Sequence, residues 1–112
     1  MAEPIIITPA PGRYRVRVGD FAIGETDKAL VLDEAGHDPV IYVPRADMNM
    51  AVLEPAMRHT TCPWKGEASY FSVLAPSGRL NNAVWTYDAP IPGRSEIAGH
   101  LAFYPSVTVE PV

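Results

Sequence analysis

Arg13-Tyr14-Arg15-Val16-Arg17-Val18 alternates without a break: Tyr14, Val16 and Val18 fall on one face and three arginines on the other. A period of two marks a half-buried β-strand, because successive side chains point to opposite sides. Gly19-Asp20 supplies a turn, and Phe21-Ala22-Ile23-Gly24-Glu25-Thr26 returns as a hairpin partner. The same grammar runs downstream. Ala29-Leu30-Val31-Leu32 is a short apolar strand closed by the turn Asp33-Glu34-Ala35-Gly36, and Val40-Ile41-Tyr42-Val43 is the next, stopped by Pro44. Residues 67–74 carry apolar or small side chains on both sides, as a strand covered on two faces does. Pro76-Ser77-Gly78 turns the chain, Asn81-Asn82 makes a loop, and residues 83–87 and 107–110 read as further strands. Upstream, Pro4, Pro9 and Pro11 make residues 1–12 an extended lead-in.

Two stretches break the pattern. Asp47 is placed to N-cap a short helix carrying Met48, Met50 and Leu53, which Pro55 ends within two turns. Ser95 is placed to cap a helical turn or two ahead of Phe103, with Glu96 and His100 four apart on one face. The expectation is one domain over residues 1–112, all-β and mostly antiparallel, with one or two short helical turns.

Composition narrows the partners. Twelve prolines among 112 residues forbid long helices and favour short strands joined by rigid turns. A net charge of -4 argues against a nucleic-acid partner, whose phosphates require a basic surface. No apolar run approaches the ~20 residues that span a bilayer, and the start lacks the basic and apolar regions of a secretory signal. The one cysteine, Cys62, cannot form a disulfide within the chain, which fits a reducing cytoplasm. Free strand edges leave a homodimer open to such a domain.

Chemistry-bearing side chains crowd into His59-Thr60-Thr61-Cys62-Pro63-Trp64-Lys65-Gly66-Glu67-Ala68-Ser69-Tyr70. Together with Trp85-Thr86-Tyr87 and Ala102-Phe103-Tyr104-Pro105, this segment resembles the bacterial and fungal family catalogued as domain of unknown function 427. The resemblance runs from about Arg13 to Val109 and takes in Glu25-Thr26, Val43-Pro44-Arg45-Ala46-Asp47 and Leu53-Glu54-Pro55. It implies a compact fold similar to the Mss4-like, or β-tent, proteins. Those relatives hold zinc with paired C-x-x-C knuckles, whereas this chain has one cysteine and no such pair. The family is sometimes labelled nucleotidyltransferase-like, yet the sequence carries neither a glycine-rich phosphate loop nor carboxylates spaced as a catalytic metal clamp.

Three functions fit these residues. In the first, a small ligand, anionic or aromatic, sits in a pocket around the Cys62–Gly66 turn. Trp64, Tyr70, Trp85 and Tyr104 give amphipathic rings; Lys65, Arg45, Glu67 and Glu96 give polar partners. In the second, the chain is an enzyme with Cys62 or Lys65 as nucleophile or base, His59 activating the thiol. In the third, the aromatic residues serve only a core, and the chain is a structural or interaction module. His59 and Cys62 also have ligand-like spacing, but a tetrahedral zinc would need two more ligands, such as His100 or Glu67. No metal or cofactor is assigned. The arginines of residues 13–17 suit a solvated strand face, or an edge strand guarded by charge, better than a nucleic-acid site, and His37 in its Gly-His-Asp-Pro turn reads as a surface histidine.

Overall fold

A computed structural model describes residues 4–112 of the chain. Ten strands form: β1 (Ile5–Pro9), β2 (Tyr14–Val18), β3 (Phe21–Thr26), β4 (Leu30–Glu34) and β5 (Val40–Pro44) come first. They are followed by β6 (Leu53–Cys62), β7 (Gly66–Ala75), β8 (Gly78–Thr86), β9 (His100–Phe103) and β10 (Thr108–Pro111). Seven join in the order β1-β4-β5-β9-β8-β7-β6, and three in the order β10-β2-β3, every pairing between strands being antiparallel. The all-β, mostly antiparallel class expected from the alternation is the observed one. No helix among the described residues is long and apolar enough to cross a membrane.

Alternation explains how the larger sheet serves two cores. Val43, Val73, Val84 and Leu101 face the smaller sheet and pack with Val16 and Ile23. Their neighbours Tyr42, Trp85 and Ala102 face the other way and join Leu32, Ala68, Tyr70, Tyr87 and Ile97 in a second cluster. Residues 67–74 read as covered on both sides because β7 feeds both clusters, Tyr70 going to one and Phe71 to the other. The arginine stripe of β2 sits on a central strand, and cross-strand carboxylates match its charge. Arg15 pairs with Glu25 at 3.2 Å and Arg17 with Glu110 at 2.7 Å.

Several local expectations give way. The lead-in contributes a paired strand, β1, whose Ile5 and Ile6 lie opposite Glu34 and Asp33. That pairing draws Asp33 and Glu34 out of the expected turn and into β4; residues 1–3 lie outside the described part. No α-helix starts at Asp47. Its carboxylate accepts a hydrogen bond from buried Thr26 at 2.7 Å, and two 3-10 turns, Arg45–Asp47 and Met50–Val52, take the helix's place. Asn49 caps the second by accepting from Ala51 N–H. Leu53 already belongs to β6. A third 3-10 turn, Ser95–Ile97, carries no side-chain cap, and His100 begins β9, so Glu96 and His100 share no helix face. Asn81 and Asn82 lie within β8, where the pairing with β7 shifts register.

Candidate functional site

The second cluster does not fill its face of the sheet. It leaves a cleft of about 700 Å³ between the β4–β5 end and the turn joining β6 to β7. Aromatic rings make its floor. Trp85 lies edge-on to Tyr42, centroids 6.5 Å apart at 90°, and its Nε1 donates to the Tyr42 hydroxyl at 3.3 Å. Tyr104 leans on the other side of Trp85 with centroids 4.9 Å apart. Tyr70 and Tyr87 complete that lining. Burial disfavours the charged phenolate and pushes the Tyr42 hydroxyl up to about 12, and it raises Tyr87 in the same direction.

The wall opposite β5 is the turn Pro63-Trp64-Lys65. It is held by Lys65 N–H donating to the Cys62 carbonyl at 3.2 Å and by Ile91 N–H donating to the Lys65 carbonyl at 3.0 Å. Gly66 follows at φ 116°, a backbone region that other residues rarely adopt. The Lys65 side chain then crosses to Glu34 at 2.8 Å, tying the turn to β4. Cys62, the last residue of β6, is half-buried and lines the cleft beside Trp64.

At the Tyr104 end, Thr60 and Tyr70 hydroxyls lie 2.8 Å apart, and the Arg58 guanidinium stands 5.0 Å from the Tyr70 ring centre. Burial opposes ionisation of Tyr70, but hydrogen bonding from Thr60, Tyr104 and Arg58 and the charge of Arg58 outweigh it. They hold the Tyr70 hydroxyl below the ordinary phenol value. Tyr104 moves the other way, raised first by burial and then by Tyr70.

Of the residues singled out in the sequence, Cys62, Trp64, Lys65, Tyr70, Trp85 and Tyr104 meet in this cleft. The other four lie elsewhere. His59 is exposed on β6, three residues from Cys62 and so on the opposite side of the strand, with Nδ1 3.5 Å from Ser69 Oγ. Glu67 is exposed and alternates with Ala68, which faces the cleft's core. Glu96 is exposed in its 3-10 turn, and Arg45 pairs with Asp88 at 3.4 Å while standing 5.4 Å over the Phe71 ring. Among the described residues, no three His, Cys, Asp or Glu side chains gather as a metal site.

Glu34, His37, Asp38 and Tyr42 also line the cleft, and nothing in their local sequence groups them with Cys62. Glu34 was nonetheless signalled by parity, since Leu30 and Leu32 on the same strand face inward and Glu34 is next in step.

Two antiparallel sheets, a core on each side of the larger one and a cleft floored by aromatic rings define a small all-β domain with one concave, ring-lined face. The chain belongs to the family described as domain of unknown function DUF427, whose model matches residues 6–112. None of the curated proteins matches it.

Proposed function

We propose that the chain binds a small molecule in the cleft between β4 and the Pro63-Trp64-Lys65 turn. The observation that carries this reading is the lining. A cleft of about 700 Å³ joins the rings of Tyr42, Tyr70, Trp85, Tyr87 and Tyr104 to a few fixed polar groups. Small-molecule sites commonly span ~300–1,000 Å³ and combine an apolar, aromatic wall with sparse polar anchors. A structural module has no need of such a space, since a protein interior packs to near-crystalline density. Binding is favoured over chemistry at Cys62 because His59, the group that would activate the thiol, faces away from it. Lys65, for its part, is engaged by Glu34.

Native mass spectrometry of the purified chain after incubation with a low-molecular-weight cell extract tests the reading. The wild-type chain should retain an adduct that Trp85→Ala, which removes the central ring, does not. No adduct, or the same adduct on both proteins, would overturn it.

A further inference from the structure

Five arginines, Arg13, Arg15, Arg17, Arg45 and Arg79, each have a carboxylate within ion-pair distance. Among the described residues, no carboxylate pairs with Arg58 or with Arg94, which donates to the Gly93 carbonyl instead. The Arg58 guanidinium stands over Tyr70, whose hydroxyl is shared with Thr60 at 2.8 Å. Tyr70 and Tyr104 both line the cleft, and Tyr104 lies against Trp85. One edge of the aromatic cleft is therefore lined by two tyrosine hydroxyls, and beside Tyr70, outside the lining itself, stand the Thr60 hydroxyl and the exposed Arg58 cation, which no carboxylate of the described chain neutralises. The other polar corner, Lys65 with Glu34, is internally matched.

We propose that the Arg58, Thr60, Tyr70 and Tyr104 corner is the head-group site of the cleft. It would take the oxyanion of a small organic acid, a carboxylate or a phosphate monoester, whose planar or apolar body lies along Trp85. The assignment rests on the cleft being a binding site and names the ligand class for it. Hydroxyl donors and a guanidinium are the groups that hold carboxylate and phosphate oxygens through charge-assisted hydrogen bonds. Arg58 and the hydroxyls beside Tyr70 outweigh burial and stabilise its phenolate, whereas Tyr104 is raised by burial and by Tyr70 and so keeps its hydroxyl proton as a donor. Neutral planar molecules would gain the stacking at Trp85 but not the head-group contacts.

The test titrates the full chain, followed by amide NMR, with benzoate, indole-3-acetate and phenyl phosphate. Their neutral counterparts benzamide, indole-3-acetamide and phenol are titrated in parallel. The acids should shift the amides of Thr60, Tyr70 and Tyr104 and bind about tenfold more tightly than the neutral molecules, the worth of one good charged hydrogen bond. Arg58→Gln, a change at an exposed position, should abolish that difference while its own spectrum stays folded; Thr60→Val should reduce it. Comparison of phenyl phosphate with the carboxylates tells which oxyanion the corner prefers. Equal binding of acids and neutral molecules, or an acid preference that survives Arg58→Gln, overturns the head-group assignment and leaves the cleft as a binding site. No shift from any acid or neutral probe at millimolar concentration overturns both.

Discussion

Lys65 Nζ and Glu34 Oε1 lie 2.8 Å apart, with side chains only 13% and 10% exposed. They join places far apart in the seven-stranded sheet. Glu34 ends β4, next to one edge, and Lys65 sits in the turn that leads out of β6, the other edge. The pair is therefore a strap across the cleft as well as a buried charge pair. Such pairs contribute little over an apolar replacement, but removing one member strands the other's charge.

Lys65→Met or Glu34→Leu alone should cost roughly 2–4 kcal/mol, and the two combined should recover most of that loss. Urea unfolding of the four proteins as a double-mutant cycle measures the coupling. Two small, additive losses would show that water screens the pair.

How far the sequence revealed the fold depended on whether a strand's neighbours matched its local pattern. β2 announced itself because Val16 is buried in one core while Arg15 and Arg17 reach cross-strand carboxylates. β6 did not. As an edge strand with a register shift between Pro55 and His59, it exposes Pro55, Met57, Arg58 and His59, so no alternation survives in its sequence. The same blindness split the site. Cys62, Trp64 and Lys65 are neighbours in sequence, but Glu34 lies 31 residues from the lysine it holds, and only tertiary pairing brings β4 across. His59 looked close to Cys62 because spacing along a chain says nothing about sides until the strand is known.

Alkaline pH should expose the burial of Tyr42. Its folded value is raised from 10.0 to about 12, chiefly by burial, so the folded state holds this proton more tightly than the unfolded chain does. The stabilisation is complete below the unfolded value and is lost as pH climbs from ~10 towards ~12, a fall of about 2–3 kcal/mol. Tyr87 is raised by burial too and adds to the decline. Urea unfolding at successive alkaline pH values should give a clearly shallower decline for Tyr42→Phe than for the wild type. Identical slopes would remove Tyr42 as the source.

Asn82 holds φ at 53°, the left-handed region, at the place where β8 slips against β7, and its N–H donates to buried Ser72 Oγ at 3.2 Å. Asparagine tolerates this conformation better than most residues, and glycine better still. Asn82→Gly should leave the thermal midpoint unchanged or raised, whereas Asn82→Ala should lower stability by about 1 kcal/mol. A midpoint that Asn82→Ala leaves untouched would mean that the backbone relaxes there at no cost.

Cys62 gives chemical access to the cleft from its wall. It ends β6 opposite Gly66, half-buried, on the cleft wall beside Trp64. A lining role predicts that Cys62→Ser binds indole-3-acetate within about twofold of the wild type, because one small side chain replaces another with little change in packing. Alkylation of Cys62 with a bulky maleimide should abolish that binding by filling the space in front of Trp64, while the amide spectrum of the two sheets stays folded. A nucleophilic role predicts in addition an activated thiol, which iodoacetamide would label faster than it labels an ordinary accessible thiol. A mass-spectrometric time course of labelling of the wild-type protein, run beside the indole-3-acetate titration, separates the two. Faster labelling of native Cys62 than of a free peptide thiol at neutral pH is the result that would make it more than a wall residue.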